Sequence, residues 1–180
     1  MNIIGNKNSF AIEYHFTDDS AFHNAKTRIW IGDIYLGHYE NDSPIYGIYN
    51  YFNYLVNNLD KFVTNEFKDK RKEEIYRTMI PYESKEEYFE LPNEIKIALD
   101  NYDRFIVSLN EAYYEFAMRC YIEDDNVCFV WKLLAKGQSL IEDYPNYREG
   151  INFFKVPFNE LKSVVNEFKK CLEKEGILAD

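Results

Sequence analysis

Few residues in this chain have the types and spacing that chemistry needs. His15 stands two residues from Glu13, and the alternation of residues 9–16 puts both on one face of a strand, with His38 on a later strand. A histidine beside a carboxylate can pass a proton. The same pair is also ordinary on a solvated strand face, and the spacing alone is weakly specific. Cys120, Cys128 and Cys171 could supply a nucleophile. Cys120 and Cys171, however, fall on apolar stripes, where cysteine behaves as a small buried hydrophobe. Cys128 lies on the opposite strand face from Trp131. The odd number of cysteines, without a C-x-x-C pair, suggests neither a disulfide framework nor a zinc site. No phosphate-binding glycine loop, H-E-x-x-H or G-x-S-x-G is present. The expectation is no catalytic residue, no metal and no cofactor.

What remains is acid. Asp18 and Asp19, Glu40 and Asp42, Glu123, Asp124 and Asp125, and Glu142 and Asp143 each fall in an expected turn or loop. Turns are polar by default, and none of these clusters has the oxygen-ligand spacing of a calcium loop. They belong to a chain with 31 acidic and 21 basic residues and a net charge of −10. That balance disfavours direct binding to a phosphate backbone or to an anionic membrane, and it favours a basic partner.

The elements that must position these residues can be read from periodicity. The alternation Phe10, Ile12, Tyr14, Phe16 makes Ser9 to Phe16 a half-buried strand. Thr27 to Ile31 and Ile34 to Tyr39 flank Gly32-Asp33, a tight-hairpin signal. Ser43 and Pro44 look like the cap and first residue of a helix bearing Ile45, Ile48, Tyr49, Phe52, Leu55, Val56 and Leu59. A charged surface helix is expected over Glu66 to Met79. Another follows Leu91-Pro92-Asn93, with Ile95, Ala98 and Leu99 on one side. Glu111 to Ile122 and Val127 to Leu134 alternate as an antiparallel pair, with Glu123 to Asn126 as the turn. Gly137 to Gly150 is loop-like, and Phe153 to Val156 is a short last strand. Phe158 to Glu175 carries Leu161, Val164, Val165, Phe168 and Leu172 at helical spacing and stops at Gly176. Residues 1–180 are thus expected to form a single α+β domain. Its mainly antiparallel sheet would have about five to six strands, packed against a few amphipathic helices.

Apolar residues make up 46% of the chain, enough for a real core, and aromatics 18%. So many tyrosines could form a binding face, or could simply reflect AT-rich codons. The start of the chain has no basic region followed by an apolar run, and no stretch approaches a membrane span. A reducing cytoplasm is the expected compartment.

The run Ile4-Gly5-Asn6, then Ser9-Phe10-Ala11-Ile12-Glu13-Tyr14, then Ile29-Trp30-Ile31-Gly32 and Leu36-Gly37, resembles the opening of the bacterial immunity protein 42 family. Asn110-Glu111-Ala112-Tyr113, the strand bearing Trp131 and the helix after Val156-Pro157 resemble its second half. Two features depart from the pattern: His38 follows Gly37 where the family usually has an acidic or small residue, and Glu66 to Glu90 has no counterpart. The resemblance implies a cytoplasmic antidote that binds and blocks a secreted or contact-delivered toxin domain, often a nuclease and often basic. On that implication, Asp18, Asp19, Glu40, Asp42, Glu123, Asp124 and Asp125 are the candidate toxin-binding residues, and the free protein is expected to be a monomer. The alternatives are a small cytoplasmic enzyme of unknown reaction, or an adaptor subunit of a permanent complex.

Overall fold

The computed structural model describes residues 1–17, 23–82, 85–134, 144, 147 and 149–178. Among the described residues, eight strands form two antiparallel sheets, with five α-helices around them. The first sheet has the order β1 (Asn2–Gly5), β2 (Phe10–Phe16), β3 (Asn24–Ile31), β4 (Ile34–Leu36). A further strand, β5 (Asp42–Pro44), pairs with the other half of the same β3 edge, Ala25 opposite Ser43. Helix α1 (Tyr46–Asn57) then leads to three short helices, α2 (Lys72–Met79), α3 (Lys85–Glu90) and α4 (Asn93–Asp100). The second sheet is β6 (Phe116–Glu123), β7 (Asn126–Leu133) and β8 (Asn152–Pro157), and α5 (Phe158–Lys174) closes the chain. The fold class is therefore the expected α+β with antiparallel pairing, divided between two sheets.

Alternation explains the first sheet. Along β3, Ala25, Thr27, Ile29 and Ile31 are buried while Asn24, Lys26, Arg28 and Trp30 are half-buried. The hairpin register Ile31 to Ile34 leaves Gly32 and Asp33 as a two-residue turn, both with positive φ (58° and 67°). That conformation is the one a right-twisted hairpin needs. Gly32 is required for a second reason: a Cβ there would lie 2.3 Å from the Phe154 ring of β8.

The second sheet is covered on both faces. On one face, Phe129 stacks on Phe10 of the first sheet (6.2 Å), and Phe52 of α1 meets both rings edge-on. On the other, Tyr121 packs against Phe67 and Phe105 (4.9 and 6.4 Å). Helix α5 lies against β1, β2, β7, β8 and α1, burying Leu161, Val164, Val165, Phe168 and Leu172 as its spacing predicts. Gly176 (φ 72°) ends it: Ile177 N–H reaches back to Leu172 O and Gly176 N–H to Glu173 O, which satisfies the last carbonyls.

Several expectations need correction. Ser43 is not a helix cap; the β3 ladder takes it into β5, and Ile45 occupies the cap position of α1. Residues 111–113 form a 3-10 turn, so β6 begins only at Phe116. Helix α2 spans only 72–79 of the stretch 66–79. In α4 only Leu99 is buried, and Ile95 remains exposed. Most of the loop 137–150 lies outside the described residues; Tyr144 and Tyr147 are described, and both are buried beside Phe116.

Candidate functional site

Glu13 lies on the outer face of the first sheet, opposite Arg28 in the register and on the same face as Trp30 and Tyr35. It is nonetheless buried. Its Oε2 accepts from Lys7 Nζ at 2.9 Å and from Trp30 Nε1 at 2.5 Å, and the Lys7 ammonium also sits 4.0 Å from the Trp30 ring centroid. Arg28 lies between two rings, with its guanidinium carbon 4.6 Å from both Tyr35 and Tyr39. This face is a closed polar and aromatic network. His15 stands exposed beyond it, opposite Lys26. A carboxylate sealed by an ammonium and an indole N–H is held in place and is not presented to a substrate, so Glu13 and His15 share a face without forming an acid–base pair.

Cys120 and Cys128 belong to the core, while Cys171 is only partly buried at its edge. Cys120 and Cys128 are buried, and burial pushes their thiols up to about 12 and about 11. At neutral pH they are thiols, the unreactive form. Cys120 Sγ lies 3.0 Å from the Tyr51 hydroxyl. Among the described residues, no group of three or more His, Cys, Asp or Glu could hold a metal ion.

The candidate acids divide by position. Glu40 and Asp42 are exposed at the margin of the first sheet. Glu40 accepts from Lys26 Nζ at 2.6 Å, and this bond holds its carboxyl below the usual range and raises the lysine. Asp124 and Asp125 are the exposed tip of the β6–β7 hairpin, both with positive φ (46° and 61°). Asp124 lies 3.4 Å from Lys68 Nζ. Glu123 is not part of the turn: it is the last residue of β6, buried, and it accepts from Lys155 Nζ at 2.5 Å. Sequence spacing could not show that Lys155, on β8, meets it. Asp18 and Asp19 lie outside the described residues, as do Glu142 and Asp143. The structure thus places Glu40 with Asp42 on one sheet and Asp124 with Asp125 on the other. Sequence reasoning singled out Glu13 and missed Lys7, Arg28 and the Trp30 bond, although the strand alternation puts Arg28 and Trp30 on its face.

A sealed polar network, buried thiols at Cys120 and Cys128 and exposed acidic turns are the features of a binding surface. The model of the family described as immunity protein 42 matches residues 1–171, and the chain belongs to that family. It is an immunity protein: it binds and neutralises a toxin. Among solved structures, the crystal structure of CdiI from Burkholderia dolosa AUO158 shares the fold. Its TM-score is 0.60 at 15% identity, over 94% of this chain and 99% of that one. Comparison with curated proteins gave no match. No helix among the described residues is long and apolar enough to cross a membrane.

Proposed function

We propose that the neutralised toxin is a basic, secreted or contact-delivered protein domain, with a nuclease the leading case. The chain meets it in the cytoplasm as a monomer, folded as one domain over residues 1–180. The observation that carries this reading is the net charge of −10 together with exposed carboxylates at the turns, Glu40, Asp42, Asp124 and Asp125. One continuous core runs from Ile4 to Ile177, which supports a single folding unit. Charge of this kind raises the encounter rate with a basic partner and repels nucleic acid and anionic lipid. Asp18 and Asp19 belong to the same proposal by their charge. Glu123 acts behind the tip, through Lys155, by fixing the end of the hairpin.

The test is a binding isotherm and association kinetics, at two salt concentrations, with the toxin domain encoded immediately upstream. Nanomolar or tighter binding that weakens as salt rises is expected. The variant Asp124→Asn/Asp125→Asn keeps the turn, because asparagine tolerates positive φ, and removes two charges. It should slow association about fivefold at low salt. An unchanged association rate would take the hairpin tip out of the interface, and salt-independent binding would remove the electrostatic reading.

A further inference from the structure

Phe89, Ile95 and Ile97 are exposed by 71%, 42% and 67%, all within α3 and α4. Isolated apolar side chains on a surface need no explanation, but several on one short segment do. Helix α4 is anchored to the body by Leu99, its one buried residue. Ile95 sits one turn earlier on the Leu99 side, and Ile97 projects from the opposite side. A helix apolar on both sides belongs between two partners. Among the described residues, this chain supplies a partner on one side only.

Side-chain contacts join the two helices. Lys96 Nζ donates to Phe89 O at 2.8 Å, satisfying a carbonyl at the end of α3, and its ammonium lies 5.7 Å from the Tyr88 ring. Tyr88 packs in turn on Tyr82 (5.1 Å) and Phe89 (5.8 Å). The lysine is thereby turned inward along the aromatic surface. Glu90, Glu94 and Asp100 are exposed around the apolar residues. Exposed apolar side chains with carboxylates beside them, on helices that this chain already joins, are the materials of a docking surface. The sign of the rim selects the occupant. Two copies of this chain would oppose carboxylates to carboxylates at a net −10 each, which costs association. A partner with an apolar socket and a basic border gains both contacts.

We infer that the α3–α4 knob, with Phe89 and Ile97 projecting from it, is the apolar anchor through which this immunity protein grips its basic toxin. The inference rests on the reading of the toxin as basic and adds the surface that binds it. The anchor governs how long the complex lasts, and the charged turns govern how fast it forms.

The test is the double variant Phe89→Ala/Ile97→Ala of the full chain, measured against the same upstream toxin domain with its activity disabled. Because both side chains are exposed, the variant should melt within about 2 °C of the wild type. Its dissociation rate should rise about thirtyfold or more, with association changed by less than about threefold. A folded variant that dissociates like the wild type overturns the inference and leaves the basic-toxin reading standing. A wild type that binds no toxin overturns both. A wild type that dimerises through this face, shown by a double variant that stays monomeric at the same concentration, also overturns it.

Discussion

At the residue scale, Glu13 shows how a side chain that looks chemical can be structural. The alternation Phe10 to Phe16 correctly puts Glu13 and His15 on one face, away from Ile12 and Tyr14. Burial of Glu13 on that outer face could not be read, because Lys7 comes from the turn before β2 and Trp30 from the neighbouring strand. Only the register, Glu13 to Arg28 and Ala11 to Trp30, brings them together. The resemblance noted in the sequence spans both Glu13 and Trp30, and the structure supplies a reason: they bond each other. Glu13→Gln should therefore destabilise the fold by about 1–3 kcal/mol, the worth of a bond to a charged group. Toxin neutralisation should persist wherever the variant is folded. Urea melts with a protection assay check this; a stable, folded Glu13→Gln protein that no longer protects would give Glu13 a direct role in the site.

At the element scale, long periodic segments were legible and short or two-sided ones were not. Helices α1 and α5 and the hairpins β3–β4 and β6–β7 carry enough period to be read directly. Strand β1 has only four residues, and β5 has three that also spell a helix cap; both exist because β2 and β3 offer them ladder bonds. Burial of Cys128 and Val130 follows from the unbroken apolar run Val127 to Trp131, which marks a strand covered on both faces. The covering layer, built from Phe67, Tyr76 and Phe105, lies in a stretch whose charges hid it. Exposure of Ile95 and Ile97 was illegible for the converse reason: apolar spacing cannot distinguish a core helix from one that awaits a partner. Helix α5 closes the core, with Phe168 fully buried and its ring 5.5 Å from that of Tyr14. Phe168→Ala should cost about 3–5 kcal/mol by leaving a cavity there. Thermal or denaturant melts would show it; a loss below about 1 kcal/mol would mean that the helix can settle into the gap.

At the scale of the whole molecule, the abundant aromatics turn out to be mainly core, arranged in linked clusters: Phe10, Phe52 and Phe129; Phe67, Phe105 and Tyr121; Phe116, Tyr144 and Tyr147. This burial has a consequence for pH. It pushes the phenols of Tyr14, Tyr51, Tyr113, Tyr121 and Tyr147 upward from 10.0, and the thiols of Cys120 and Cys128 from 9.0 to about 12 and about 11. Between the ordinary and the folded values, the native chain keeps protons that the unfolded chain has released. Unfolding then sheds protons, so stability falls as pH rises through that window. The acid side is weaker: Glu40 and Glu74 are held low, so what they add is present above the ordinary carboxylate range and lost below it, but both are solvent-exposed and screened. The denaturant midpoint, measured under reducing conditions, should therefore be level near neutrality and decline steadily from about pH 9 to about pH 11. The tyrosinate absorbance of the buried rings should appear together with unfolding, in one cooperative step. Ionisation of the full complement of tyrosines near pH 10 with the fold intact would show that the buried rings open to water without global unfolding, and that the linked aromatic clusters do not hold the two sheets together as one unit.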